Sequence, residues 1–387
     1  MQISGYIGER EEGMSAKLKK IMSFFFIAAS VTAVFFIAFS NAELKDAWGA
    51  IGRLDLLWVA GIFGCWILCT VFDGMNYWCY LRREKFRISI GRTINVALIG
   101  YYYSNITPSA AGGQPMQVNS LRKAGIPVGY GTMAVTIRFF ANQFIICMMS
   151  LLLFLLNRSF VYDQLRGVMW VVRIGWLINF SVIPLIVLAT WKRNWIQGFA
   201  NWVISVLNRM HIVRNREASI KKVTEVLDTY NKAMHDLLKR PGQITIQFLC
   251  SFISLLAMTG SVIFVYHAFG QHGTPWYHIL TMSCLLYVSA SYTPLPGASG
   301  AQEGGFVVYF GRIFLNGTIG MALLTWRFFT FYLFLIVGVG TVLLEKIILK
   351  REKTLRMRGE ELLRDWVEDS TLPDEAKKTN TPEENQE

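Results

Sequence analysis

Charge is scarce in this chain. Asp, Glu, Lys and Arg make up 17% of its 387 residues, where an ordinary soluble domain carries about 25%. That shortage excludes a water-soluble globular enzyme, because a soluble core could not hide 27 Phe, 12 Trp and 15 Tyr without leaving large apolar patches. Cysteine is also sparse. Cys65, Cys69, Cys79, Cys147, Cys250 and Cys284 all lie inside apolar stretches, as small hydrophobes do, which argues against a disulfide framework. No Cys/His spacing fits a zinc template and no RNA-reading signature appears. Nucleic acid is therefore not expected as a partner of this chain alone. A Ser-His-Asp order, a Walker loop and a dinucleotide fingerprint are missing from any context that would support them. No catalytic residue, metal or cofactor is expected.

Apolar residues are abundant, at 53%, and they fall in long runs. A membrane-spanning helix needs about 20 of them in sequence. Six stretches qualify: 21–40, 56–81, 128–156, 168–190, 243–269 and 319–349. The first is read as a span and not a signal peptide, since no small-residue cleavage site follows it. Two further runs, 93–107 and 277–293, stop at Pro108 and Pro294. At 1.5 Å per residue they reach about 22–26 Å, short of a hydrocarbon core near 30 Å. The expected fold class is an all-α polytopic membrane protein with six long transmembrane helices and two short interrupted pairs, re-entrant or half-helical.

Basic residues orient these spans. Segments 1–20, 82–92, 122–123, 191–242 and 346–387 hold 30 of the 38 Lys and Arg. The loops of the other side hold five: Lys45, Arg53, Arg158, Arg166 and Arg312. Arg138, Arg173 and Arg327 remain within spans or at their ends. By the positive-inside rule, both termini are expected in the cytoplasm. Segment 191–242 is too polar to cross. Its apolar residues recur at helical spacing, and it reads either as amphipathic helices on the cytoplasmic face or as a helical hairpin packed under the bundle. Residues 359–387 carry ten acids and three bases and are expected to be disordered. They mask a net +19 on residues 1–358 within an overall +12.

An internal repeat organises the membrane part. Pro108-Ser-Ala-Ala-Gly-Gly-Gln114 matches Pro296-Gly-Ala-Ser-Gly-Ala-Gln302 at an offset of 188 residues, and Met133-Ala134 matches Met321-Ala322 at the same offset. One residue later, Thr136-Ile-Arg138-Phe-Phe140 matches Thr325-Trp-Arg327-Phe-Phe329. The units cover about 93–156 and 277–349. The charge count has the first entering from the cytoplasm and the second from outside, so they form an inverted repeat. Secondary transporters share that architecture, with the binding site near the midplane.

Non-helical backbone at membrane depth must line a cavity or lie buried in protein. Segments 107–114 and 293–302 are the candidates. Their loop residues Pro108, Gly112, Gly113, Pro294, Pro296, Gly297 and Gly300 offer turns, close approach and positive φ. A returning helix beginning at Pro115 would present free N–H groups to an anion such as phosphate. The second return begins near Gln302 and Glu303, and Glu303 suits the dipole of a first helical turn.

Arg138 and Arg327 occupy matching positions inside spans, where arginine is costly and by default marks a site. Either both flank a lipid headgroup path, or Arg327 is neutralised by Glu303 and Arg138 by Asp73 or helix-end carbonyls. Asn105, Gln114 and Gln302 join them as polar candidates for a transport path. Asp73, Asn76 and Asn142 also lie within spans. Asp73 reads as a proton-coupling carboxylate or as a local cap or ion-pair partner. Tyr101, Tyr102, Tyr103 and Tyr292 read as packing or interfacial belt. His267, His272 and His278 gather near an outer loop in no metal-binding pattern.

Asn105-Ile-Thr-Pro108-Ser-Ala-Ala-Gly112-Gly113 and Pro294-Leu-Pro296-Gly297-Ala-Ser-Gly300-Ala-Gln-Glu303-Gly304 carry a resemblance. With them the chain resembles, over roughly 15–350, the flippase-like membrane family. Its best-known member is the transmembrane region of lysylphosphatidylglycerol synthase, the multiple peptide resistance factor. The family pattern is Asn-x-x-Pro-x-x-x-Gly-Gly followed by Pro-x-Pro-Gly-x-x-Gly-x-x-Glu-Gly. This chain has Gln302 where a basic residue often precedes the Glu. The resemblance implies transfer of a phospholipid, phosphatidylglycerol or its lysyl derivative, between leaflets of a bacterial cell membrane, in lipid metabolism and antibiotic resistance. In the synthase, lysyl transfer belongs to a further soluble domain. Segment 350–387 is expected not to supply it, and a family name of phosphatidylglycerol lysyltransferase would not itself imply that reaction here. Aminoacyl-lipid synthesis and a non-transporting membrane scaffold stay as the competing readings. A homodimer is compatible with each.

Overall fold

A computed structural model describes residues 54–191 and 216–348, Tyr292 and Asn316 excepted, with isolated positions at 197–198, 202, 205, 351 and 354. The expected first span, most of the stretch 192–215, Tyr292 and the acidic tail lie outside the described residues. Among those described, every regular element is helical.

Helix α1 (Leu56–Arg83) begins where the Asp55 carboxylate accepts the Leu57 N–H at 2.9 Å, a side-chain N-cap. Helix α2 (Ile90–Ile106) is capped by Ser89 and ends before Pro108, whose ring disfavours helical backbone at the residue before it. A single 3₁₀ turn, Pro108–Ala110, leads into the short α3 (Gly113–Lys123) and then the long α4 (Val128–Leu156). Next come α5 (Arg158–Leu165), α6 (Met169–Trp191), α7 (Arg216–Leu238) and α8 (Pro241–Ala268). Helix α9 (Trp276–Ala290), a second 3₁₀ turn Pro296–Ala298 and the short α10 (Ala301–Phe310) follow. The last helix, α11, starts at Ile319–Arg327, passes through one π turn at Phe328–Tyr332, and reaches Ile348. Residues from Val339 onward form a separate unit; up to Ile348 they are helical.

Among the described residues, four helices are long and apolar enough to cross a membrane: α1, α4, α8 and Ile319–Ile348. The expectation of six is met in part. The span expected at 168–190 is α6, but it follows a separate helix, α5. Arg158–Leu165 and Met169–Pro184 form a pair bent by 119°, which makes a fifth crossing if taken as one. The sixth falls on 21–40, outside the described residues. The short runs form short helices, of 17 residues for α2, two more than expected, and 15 for α9, two fewer.

The central packing is α1 against α8, antiparallel along their lengths. At one end Asp55 N–H donates to the Ala268 carbonyl at 3.2 Å; at the other, Arg240 Nη1 meets Glu84 Oε1 at 2.8 Å. Polar side chains lace the seam between them. Asn76 Nδ2 donates to the Gln247 carbonyl at 3.0 Å and to Ser251 Oγ at 2.9 Å. Such buried bonds between membrane helices are worth about 0.6 kcal/mol each, so they set register more than stability. Helix α7 buries Tyr230, Ala233 and Leu237 in a cluster with Tyr80, Leu121 and Met133. The second half of segment 191–242 thus packs against the other helices.

The two turns resemble one another closely. Ser109 and Ala110 have φ of 52° and 55°; Gly297 and Ala298, each 188 residues later, have 59° and 51°. Three of these four are not glycine, and left-handed backbone costs a non-glycine residue about 1–2 kcal/mol. The turns also touch each other. Of the two roles expected of the first turn's glycines, positive φ is not used at Gly112, which is right-handed at φ −79°, and Gly113 opens helix α3. Their lack of a side chain serves close approach instead: a Cβ on Gly112 would meet Thr107, and one on Gly113 would meet Ser104 and the Gly100 carbonyl.

Candidate functional site

Arg138 sits ten residues into α4, facing α1 and α2. It pairs with Asp73, whose side chain is fully buried. The other partners of that carboxylate come from two more helices: Tyr101 O–H donates to Oδ2 at 2.5 Å and Ser254 Oγ to Oδ1 at 2.9 Å. The guanidinium carbon lies 5.8 Å from the ring centroids of both Tyr77 and Tyr101, within cation–π range. Four helices thus converge on one charge pair.

Arg327 ends the first stretch of α11, just before the π turn, an irregularity that often accompanies function. Its Nη2 lies 2.6 Å from Glu303 Oε1 and donates to the Gly297 carbonyl at 3.3 Å. Glu303 Oε2 accepts the Gly300 N–H at 2.6 Å, so one carboxylate caps α10 and neutralises Arg327. Gly300 has φ +84°. Phe331, on the π turn, lies under Gly297 where a Cβ would fall. Its ring centroid is 5.3 Å from the Arg327 guanidinium carbon. The second turn is therefore held from below by an aromatic ring and from the side by an arginine. Of the two readings of these arginines, neutralisation by Asp73 and Glu303 describes the pairing found. It leaves a path role open.

Both pairs border one cavity of about 430 Å³. Asn105, Gln114, Gln302, Arg138 and Arg327 line it, together with Ser109, Ala110, Gly297 and Ala298 of the two turns. Asp73 and Glu303 stand behind their arginines. Pro108, Gly112, Gly113, Pro294, Pro296 and Gly300 shape the turns without lining the space. Helix α3 begins at Gly113, two residues before Pro115.

The cavity wall holds buried polar atoms with no hydrogen-bond partner among the described residues. Asn105 Nδ2, Arg138 Nε and Arg327 Nε are donors; Asn142 Oδ1 is an acceptor. An unmatched buried donor costs about 1–3 kcal/mol, so such a set calls for a ligand rich in acceptors. Phosphate and ester oxygens fit that demand.

The sequence model of the family described as "Lysylphosphatidylglycerol synthase TM region" matches residues 23–338. The chain belongs to this family. Both turns and both ion pairs fall within the matched part. A relative in Archaeoglobus fulgidus, described as a "UPF0104 membrane protein", is 22% identical over 326 residues, covering 82% of this chain and 94% of the relative. The family makes this a membrane protein of a group named for phospholipid metabolism.

Several site residues escaped the sequence reading. Ser254, Gln117, Gln143 and Tyr287 also line the cavity. Gln143 Nε2 donates to Asn179 Oδ1 at 2.8 Å, and Asn179 in turn donates to the Val288 carbonyl at 3.0 Å. One signal was available: Gln243, Gln247, Ser251 and Ser254 form a polar stripe at helical spacing inside an otherwise apolar run, as Cys69, Asp73 and Asn76 do on α1. The histidines divide. His267 and His272 approach at 3.2 Å between Nδ1 atoms, whereas His278 stacks on Phe160 with centroids 3.8 Å apart.

Proposed function

We infer that this protein moves an anionic or aminoacylated phospholipid of the phosphatidylglycerol class between the leaflets of a bacterial cell membrane. The headgroup passes through the polar cavity while the acyl chains remain in lipid. The observation that carries this reading is a cavity lined by two arginines whose Nε–H groups, with the Asn105 amide, are buried and unmatched. Hydrocarbon offers such donors nothing; a phosphodiester offers each of them an oxygen.

The architecture supports transport over simple binding. Two helices too short to span end in touching turns with the same left-handed pair of residues at a constant offset. Together with the sequence matches, that supports an inverted repeat, whose halves would rock about the shared site. The six-span topology with both termini cytoplasmic rests on the distribution of basic residues and includes the segment 21–40. Arg138 and Arg327 would exchange part of their contact with Asp73 and Glu303 for headgroup phosphate, and the carboxylates would keep both charges tolerable between passages. A bidentate guanidinium suits phosphate in a way lysine does not.

Lipid retention tests this directly. The protein is extracted from vesicles containing phosphatidylglycerol, phosphatidylethanolamine and phosphatidylcholine, and bound lipid is identified by native mass spectrometry. Phosphatidylglycerol should be enriched in the wild type, and Arg138→Lys with Arg327→Lys should lose the enrichment while remaining folded. Bound lipid that mirrors the vesicle composition would refute the headgroup assignment.

A further inference from the structure

The polar cavity has an apolar neighbour. A groove of about 150 Å³ lies between α6 and α9, lined by Trp170, Val171, Ile174, Ile178 and Val288, with Thr293 at its end. Thr293 lines the polar cavity as well. Helix α9 is the partition: Ser283, Leu286 and Tyr287 face the cavity, and Val288 and Ser289 face the groove. Trp170, Ile174 and Ile178 follow one another at four-residue spacing, a single stripe along α6, and all three are exposed.

Two features hold this groove in shape. Gly175 allows α6 to lie against the α9 backbone, since a Cβ there would stand 2.8 Å from the Val288 carbonyl oxygen. Asn179 then ties the helices together, donating to the Gly175 carbonyl at 2.7 Å and to the Val288 carbonyl at 3.0 Å. Its side-chain oxygen takes a hydrogen bond from Gln143, which lines the polar cavity. A continuous polar bridge therefore joins the wall of the groove to the wall of the cavity.

We propose that this groove is the lateral portal of the protein: it seats an acyl chain of the phospholipid whose headgroup occupies the polar cavity, with the glycerol region passing Thr293. The inference rests on the transport reading above. An amphiphile needs a polar and an apolar site that meet at a seam, and Thr293 is that seam. The groove is aliphatic and carries one indole at its edge, Trp170, a residue type that favours the boundary between hydrocarbon and polar groups. Opening toward the lipid, it lets the chains stay in hydrocarbon while the headgroup alone is desolvated.

The test uses the full-length protein in phosphatidylcholine vesicles containing phosphatidylglycerol with a photoactivatable diazirine on one acyl chain. Irradiation should place adducts on Trp170, Ile174 and Ile178 in preference to Leu177, which is exposed on α6 outside the groove. Unlabelled phosphatidylglycerol should compete them away. Filling the groove with Ile174→Trp and Ile178→Trp should remove the adducts and slow leaflet transfer roughly tenfold, the loss expected when about two methylenes lose an apolar site. Leu177→Trp should change neither. Adducts spread evenly over α6, or a filled groove with unaltered transfer, would overturn the portal while leaving the transport reading standing. Competed adducts in a protein that transfers no lipid would support the groove and overturn transport instead.

Discussion

Removing Glu303 while keeping Arg327 should destabilise the protein severely, and removing both should not. Arg327 is 5% exposed and Glu303 fully buried, 2.6 Å apart. Breaking a buried pair on one side leaves an uncompensated charge and costs about 3–5 kcal/mol. Glu303→Ala also frees the Gly300 N–H that the carboxylate caps at 2.6 Å, adding about 1 kcal/mol. The double variant Glu303→Gln, Arg327→Met removes both charges, keeps an amide oxygen for the cap, and fills the guanidinium space with a flexible apolar chain. Replacing a buried ion pair with apolar groups of similar size is often neutral, so the double variant should recover most of the loss. Thermal midpoints in detergent measure the first effect. Leaflet transfer of fluorescent phosphatidylglycerol in vesicles, read with a membrane-impermeant quencher, measures the second. The single and double variants should both fail to transfer, although only the single one is unstable. A stable double variant that transfers lipid like the wild type would refute the reasoning and reduce the pair to a brace for the second turn.

Other perturbations separate the remaining claims. Gly297→Ala should lower the thermal midpoint by the equivalent of about 1–3 kcal/mol, since it adds a methyl against Phe331 at a left-handed position; Ala298→Gly, with φ already +51°, should raise it. Arg240→Ala should cost about 1 kcal/mol, far less than breaking the Glu303 pair, because the Arg240 side chain is 40% exposed and screened by solvent while only Glu84, 9% exposed, is left behind. Burial pushes the Tyr230 phenol up to about 12, above its ordinary value near 10. The stabilisation from keeping it neutral is fully present below pH 10 and is lost as pH rises through 12. Fluorescence of a label on α7 should therefore report undocking in that window, and Tyr230→Phe should abolish the transition. Impermeant thiol reagents applied to a cysteine-free background should label Arg158→Cys and Arg312→Cys from one side and Lys85→Cys from the other.

Much of this arrangement was legible in the residues, and the rest had a physical reason to hide. The span 128–156 coincides with α4 because continuous hydrophobicity and Pro127 leave little freedom at its start. Proline placed both turns, and the pairing of Arg327 with Glu303 and Arg138 with Asp73 was one of two readings that intramembrane charge allows. The 119° bend before α6 was not visible, because short α5 carries too little periodic signal to stand apart from a loop. At the first turn glycine serves close approach and not positive φ. The left-handed residues are Ser109 and Ala110, held by tertiary contact between the turns, whereas Gly112 and Gly113 relieve crowding against Thr107 and Ser104. Hydropathy could not reveal the π turn at Phe328–Tyr332 either, since one extra residue per turn leaves composition unchanged.

The central claim is that the cavity between the two turns carries a phospholipid headgroup across the membrane. Purified protein in phosphatidylcholine vesicles with trace fluorescent phosphatidylglycerol tests it most directly. The prediction is transfer that scales with protein, exceeds that of fluorescent phosphatidylcholine, and is lost in Arg138→Met with Asp73→Asn while the fold persists. A rate equal to that of protein-free vesicles, or one indifferent to the headgroup and to that double substitution, would contradict it.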